Sequence, residues 1–338
     1  MHEILVFDGS YYCHRSYNRA TEWITPDQFG DNDDWCTAVM EKCLEITLQS
    51  ITIGLERYNA VGAIMPLDMD TTTFINNLKS FDVESAQDDK YKIINKVRRH
   101  LMMHLPNFGI VTCGIAGIEA DDFGYLIGKL GPTTLASILG LQPAEYRIRM
   151  MTKDKDWYQN ITDQCVWTSG ENFSEVTADT MREWYGDDYR LTYVSEQCFT
   201  RTKDGNIGIH GVGWKGAAKI MHSMYDKNDG VPYAYPRDEW KCLKEFKKVV
   251  DQYDQFLANW RNIDCEWIKY LQFPSSDDTV EKVMTQHLTQ AGILSQSCAP
   301  KVLNHIQWGQ LAALCGENAK LRTAFNRMSE YVSRHGMH

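Results

Sequence analysis

Four short apolar runs, each leading into acidic residues and each followed by a helical or turn pattern, constrain this chain more than any other feature. The runs are EILVFD (3–8), AVGAIM (60–65), FGIVTC (108–113) and YRIRMM (146–151), with a fifth at QCVWT (164–168). Between them, residues 34–57 carry Val39, Cys43, Leu44, Leu48, Ile51 and Leu55 on one stripe. Residues 89–105 end in HLMMHLPN, and Phe123, Leu126, Ile127 and Leu130 fall at i, i+3, i+4, i+7. Strand–helix alternation calls for a mostly parallel central sheet covered by helices on both faces, an α/β fold. Ligands of such sheets bind outside the carboxyl ends of the strands, at a topological switch point. After residue 170 the strand signals stop, and residues 171–338 read as helical with a Gly-rich turn at 205–216. The expected division is a sheet domain over 1–170 and a helical C-terminal region over 171–338.

The ends of the runs carry the chemistry. The first ends in Phe7-Asp8-Gly9-Ser10, and the second leads into Asp68. The third leads into GIEADDFG with Glu119, Asp121 and Asp122, and the fourth into TKDKDW with Asp154 and Asp156. Taken singly, an Asp before Gly is a turn or N-cap, EADD is a charge cap on a helix, and DKD is a solvated turn. Four acidic strand ends out of four, on one end of one sheet, fit separate caps poorly. On an extended segment, carboxylates at i and i+2 project to one side, so Asp154 and Asp156 can address a common point. Carboxylates crowded together cannot all stay ionised without cations. Hard divalent ions with oxygen ligands answer this, and two Mg²⁺ about 4 Å apart clamp both oxygens of a phosphodiester displacement. Metal-dependent phosphoryl transfer follows, with Mn²⁺ as a substitute ion.

Charge points the other way. Acidic residues number 45 against 35 basic ones, for a formal −10, whereas duplex binders usually carry an excess of Lys and Arg. Eight acidic residues belong to the candidate site or its rim, including Asp204, so the acidity is largely local. No stretch reaches 18 apolar residues, and the N-terminus lacks a basic-then-apolar leader, so neither a membrane span nor a signal peptide is expected. None of the ten cysteines lies in CxxC, which favours reduced thiols in a cytoplasm. In DGNIGIHGVGWKGAAKI, Gly211-Val212-Gly213 with Lys215 and Lys219 makes a tight turn opening a helix. Its N–H groups can hold a phosphate and its carbonyls a monovalent cation such as K⁺. A helix connector with close-packed glycines is the plainer reading. The pattern is neither a Walker A motif nor GxGxxG after a strand.

In this order, FDGS (7–10), Asp68, EADD (119–122), DKD (154–156) and DGNIGIHGVGWKGAA (204–218) resemble the 5′→3′ exonuclease and flap endonuclease family. The nearest likeness is to the T-even-phage ribonuclease H branch, through KVRRHLMMHLPNFGIVTCGIAGIEADDFG and RNIDCEWI (261–268). The resemblance implies an α/β nuclease core and a helical part with a helix–three-turn–helix DNA-binding motif at about 204–224. It implies metal-ligand and catalytic roles for Asp8, Asp68, Glu119, Asp121, Asp122, Asp154 and Asp156, and a metal role for Asp204. It assigns duplex-backbone contact to Gly211, Val212, Gly213, Lys215 and Lys219. The implied activity is Mg²⁺-dependent cleavage of flapped, nicked or branched duplex DNA and RNA–DNA hybrid during phage replication. The chain would be a monomer in the host cytoplasm, recruited by a single-strand-binding protein or sliding clamp.

Two departures stand out. Arg201 occupies a position where the family has another Asp. Ile75 replaces the Arg of the family's helical arch, leaving Lys79, Lys90 or Lys92 as basic substitutes. They motivate an alternative: a DNA-structure-binding protein of the same fold with weakened or lost catalysis. A PIN-like ribonuclease shares acidic strand ends but has no use for the glycine turn. His100 and His104 have zinc-like i, i+4 spacing but lack the Glu of HExxH. The run 237–248 is a solvated helix face or a duplex contact. The amphipathic stretch 319–334 binds a partner or packs on its own chain.

Overall fold

Each of the five apolar runs forms a strand, and the strands are parallel. They are β1 (His2–Phe7), β2 (Gly62–Pro66), β3 (Ile110–Cys113), β4 (Tyr146–Thr152) and β5 (Cys165–Ser169). The computed structural model describes residues 1–69, 89–200, 208–227, 247–273, 277–298 and 311–337. The sheet order is β3-β2-β1-β4-β5-β6. The sixth strand, β6 (Glu175–Val176), is antiparallel to β5 and lies past the point where strand signals were expected to stop. Two residues are too few to show alternation. An ion pair from Glu175 to the buried Arg149 guanidinium, at 2.6 Å, ties β6 to the sheet.

The chain lays β2 and β3 to one side of β1, then returns to place β4 on the other side. The switch point therefore lies between β1 and β4. Side chains alternate across the sheet. Ile4, Val6, Ile64, Val111, Ile148 and Met150 enter one core, while Leu5, Phe7, Ala63, Met65, Ile110 and Met151 enter the other. Strands covered on both faces read as continuous apolar runs, which is why these five were visible in the sequence.

The second core is built by α1 (Gly9–Thr21), α2 (Asn32–Tyr58), α3 (Asp89–His104) and a distant helix, α11 (Ala319–His335). The Tyr331 hydroxyl of α11 reaches the carbonyls of Leu55 (2.8 Å) and Ala60 (3.0 Å), and Arg327 pairs with Glu56. The amphipathic C-terminal stretch thus buries its apolar face on α2 and the turn at Leu105–Phe108. The first core combines α4 (Ala120–Ile138), α5 (Ala178–Tyr185), α6 (Tyr189–Thr200), α7 (Trp214–Lys227), α8 (Lys247–Asp251), α9 (Tyr253–Ile263) and α10 (Val280–Cys298). A helical C-terminal part is therefore present, although α11 crosses back to pack on α2. No helix among the described residues is long and apolar enough to cross a membrane.

His100 and His104 stack with ring centroids 5.9 Å apart, and His104 lies buried against Phe325. Burial pushes the His104 imidazole down to about 4 from an ordinary 6.5. The unfolded ring takes a proton below 6.5, while the native ring resists until about 4. Stability is therefore full above pH 6.5 and drains as pH falls toward 4, by on the order of 1–3 kcal/mol. Urea midpoints at pH 7 and pH 5 should differ less in His104→Leu than in the wild type. An equal difference in both would rule this ring out as the source.

Candidate active site

β1 ends at Phe7, and Asp8 caps α1 by accepting the Tyr11 N–H at 2.9 Å. Its other oxygen accepts the Thr152 hydroxyl at 2.6 Å, across the switch point from the end of β4. Gly9 is needed beside it, because a Cβ there would lie 2.3 Å from the Pro66 carbonyl. This close approach sets the end of β2, and hence Asp68, near Asp8. Asp68 accepts the Ala120 N–H at 2.6 Å, capping α4, and pairs with Arg98 at 3.0 Å. Glu119 is the N-cap residue of α4, and its N–H donates to Asp122 at 3.3 Å. Asp121, in the first turn of α4, accepts the Trp157 indole N–H at 2.6 Å. Asp154 follows β4 and accepts the Asp156 N–H at 2.9 Å.

Five of these carboxylates line one cleft of about 330 Å³: Asp8, Asp68, Glu119, Asp121 and Asp154, with Ser10, Tyr11 and His14 as the other wall. All four parallel strands on the site's side contribute. The electrostatics are those of crowding. Burial, reinforced by Asp154 and Asp68, pushes Asp8 up to about 7. Burial, then Asp154, Asp8 and Glu119, raises Asp121 well above the carboxylate range. Burial and the Arg98 and Lys90 charges lower His14 to about 4, leaving it neutral near pH 7.

The other candidates sit elsewhere. Asp122 is fully buried as a helix cap and does not line the cleft. Asp156 shares no extended segment with Asp154, because a 3₁₀ helix (Lys155–Asn160) begins there. Asp154 accepts the N–H two residues on, curling the chain at once, so the expected i, i+2 projection fails. Asp156 lies instead near the Tyr193 hydroxyl, at 3.5 Å. Asp204, Arg201, Ile75 and Lys79 lie outside the described residues, as does most of 237–248. Of the two remaining arch substitutes, Lys92 pairs with Asp89 and Lys90 sits 5.8 Å from the Tyr17 and Tyr91 rings. Within RNIDCEWI, Asp264 is buried and pairs with Arg190 at 2.7 Å, a structural use.

Arg98, Thr152 and His14 were missed from sequence. Arg98 had a signal: it falls within the buried stripe Ile94, Val97, Leu101 of α3, where an Arg needs a partner.

The glycine turn precedes α7. Gly211 has φ +79°, a left-handed conformation that glycine adopts without strain. Val212 packs on the first core, and Lys215 and Lys219 are exposed on α7, one turn apart. The carbonyls expected to hold K⁺ have protein donors. Ile209 accepts the Val212 N–H, Gly213 the Ala217 N–H, and His210 the Gln252 amide. Gly211 accepts the Lys248 ammonium at 2.6 Å. A fixed positive charge at the turn repels a second cation, by about 4 kcal/mol for a 4 Å pair near a surface. This turn does not fit K⁺.

The donor set of the cleft suits a hard cation. It offers carboxylate oxygens and no sulfur, and burial together with neighbouring carboxylates raises Asp8 and Asp121. Among the described residues, no three His, Cys, Asp or Glu side chains converge as a ready ligand set. Each acid is turned to a protein donor that an incoming ion would replace.

This architecture is a 5′-nuclease fold: a mostly parallel sheet covered by helices, with a helical C-terminal part. The solved structures that share it include those of the bacteriophage T5 enzyme. One, a T5 protein co-crystallised with metal ions, matches at TM-score 0.55 and 15% identity over 86% of this chain and 99% of the other. The T5 5′-exonuclease with zinc bound matches at 0.51 and 15%, over 86% and 99%. A T5 flap endonuclease pseudo-enzyme–product complex with DNA and metal ions matches at 0.52 and 16%, over the same shares. No family model and no curated protein matches the chain.

Proposed function

We propose that this chain is a divalent-metal-dependent 5′ nuclease that hydrolyses phosphodiester bonds at 5′ ends, flaps or nicks in DNA or RNA–DNA hybrid. One observation carries the reading: five carboxylates from four strand ends line a single cleft at the switch point of a 5′-nuclease fold. The residues named for the ions are Asp8, Asp68, Glu119, Asp121 and Asp154, with Mg²⁺ or Mn²⁺ as the fitting ions. Bound there, two such ions would supply an activated water and neutralise charge on the phosphate. The chain's own groups set the stage. Thr152 orients Asp8, Arg98 orients Asp68, and Trp157 orients Asp121. Tyr193, donating to the Lys155 carbonyl at 2.7 Å, ties α6 to the turn that carries Asp154. Lys215, Lys219 and the turn N–H groups would meet duplex phosphates without reading sequence. The order of motifs shared with the 5′→3′ exonuclease and flap endonuclease family supports a part in phage replication, with the chain acting as a monomer in the host cytoplasm and a single-strand-binding protein or clamp as recruiter.

The test is cleavage mapping on 5′-labelled flap, nick and hybrid substrates with Mg²⁺ or Mn²⁺, against EDTA. Products that vanish with EDTA are expected. Binding without products at high protein concentration would favour the DNA-structure-binding alternative, which Arg201 in place of an acid motivates.

In place of K⁺, Lys248 is assigned to hold the turn. Lys248→Met should weaken duplex binding about tenfold in tetramethylammonium chloride, and K⁺ at equal ionic strength should restore it. Wild-type binding should be the same in both salts. Anisotropy titrations on a nicked duplex decide this, and a wild type that itself demands K⁺ would reverse the assignment.

A further inference from the structure

We propose that a groove beside the cleft, formed by α1, α2 and α11, binds a single-stranded polynucleotide. The groove measures about 620 Å³ and is lined by Arg15, Arg19, Trp23, Lys42 and Lys320 around an apolar floor that includes Ile46 and Ile53. Its acid, Glu45, is already paired with Lys42 at 2.8 Å. Among the described residues, Arg15, Arg19 and Lys320 pair with no carboxylate. Glu171, whose field both arginines feel, is paired with Lys153. Three unmatched cations on one surface stand out in a chain of net charge −10. Trp23 is 58% exposed there, with the Lys42 ammonium 4.9 Å from its ring.

Position selects the ligand. Tyr11, Arg15, Arg19 and Trp23 follow one another at i+4 steps, so they form one ridge along α1 and just past its end. The ridge starts at Tyr11, a wall of the acidic cleft, and runs outward for roughly 18 Å. Along it, the Tyr11 hydroxyl and Arg15 Nε are buried and find no hydrogen-bond partner among the described residues. Cations spaced along a strand's path, with an aromatic ring for a base to stack on, are what a sequence-blind single-strand track requires. An acidic peptide would match the charge but gives no reason for the ridge to begin at the cleft. The proposal rests on the nuclease reading for its biological sense, but the groove can be tested without cleavage.

The experiment is anisotropy with labelled dT₁₂ in EDTA, on the full chain. The wild type should bind, with affinity falling steeply as salt rises. Arg19→Ala with Lys320→Ala should flatten the log–log salt slope by about 1.4. Trp23→Ala should cost at least about fivefold without changing that slope, as loss of stacking does. On flaps longer than about six nucleotides, KM should rise in these variants relative to a bare nick. Variants that bind dT₁₂ as the wild type does, at an unchanged slope, overturn the groove. Tighter capture of a poly-Glu peptide than of dT₁₂ overturns the choice of ligand in favour of a protein partner. Binding of dT₁₂ that depends on the groove, in a chain that cleaves nothing with any divalent ion, upholds the groove and sinks the nuclease reading.

Discussion

Asp154→Asn is expected to lower turnover on a flap substrate by about 10²- to 10³-fold while duplex affinity in Ca²⁺ or EDTA stays near the wild type's. The substitution is sterically silent. Asn accepts the Asp156 N–H as Asp does, so the 3₁₀ start is kept. Only charge and metal-ligand strength are lost. Asp121→Asn should behave alike and adds a second signature. Its carboxyl is raised by burial and by Asp154, Asp8 and Glu119, so removing its charge relieves repulsion. In EDTA the Asp121→Asn variant should melt at or above the wild-type temperature. Added Mg²⁺ should then stabilise the wild type by mass action and the variant far less. Reduced activity with raised metal-free stability is the mark of a site strained for function. Wild-type turnover in either variant would refute the assignment of the cleft.

The second large effect concerns Arg98. Its guanidinium is 7% exposed and bonds Asp68 (3.0 Å), Asn95 (3.1 Å) and Ser10 (3.3 Å). Arg98→Met should destabilise by about 3 kcal/mol, the low end for breaking a buried ion pair, because Asp68 can rehydrate at the cleft. Arg98→Lys should recover only part of this, since an ammonium cannot reach three acceptors on one planar fork. Turnover should fall in both, as Asp68 loses its orientation toward Asp8. Urea denaturation supplies the stability and flap cleavage the rate. An unchanged urea midpoint in Arg98→Met would mean the pair contributes nothing net.

Legibility followed physics. The five parallel strands were plain because burial on both faces makes them mostly apolar runs, and α2, α3 and α4 because their stripes keep the helical period. β6 was not, since two residues hold no pattern and its anchor, Arg149, lies on another strand. Asp8, Asp68, Glu119, Asp121 and Asp154 could be picked out as acids after strands, but that they share one cleft depends on strand order. Asp122 and Asp156 carried the same letters and went to capping and to a 3₁₀ turn. Those are local backbone geometries that a single Asx hydrogen bond decides. Thr152 was hidden because its partner is 144 residues away, and the stripe of α3 marks Arg98 as buried without naming its partner, 30 residues away. Lys248 was hidden because a lysine bound to a carbonyl leaves no trace in composition.

The docking of α11 on α2 bears on how the molecule is made. Tyr331 meets Leu55 across 276 residues of chain, so the face of α2 that meets α11 leaves the ribosome long before its cover. At about 5–20 residues per second, that face waits roughly 14–55 s for its partner helix. Slow synthesis would then favour sticking over folding, and a chain cut before residue 319 would keep that exposure permanently. Yield of soluble protein, more than activity per molecule, is where lesions in α11 would be felt.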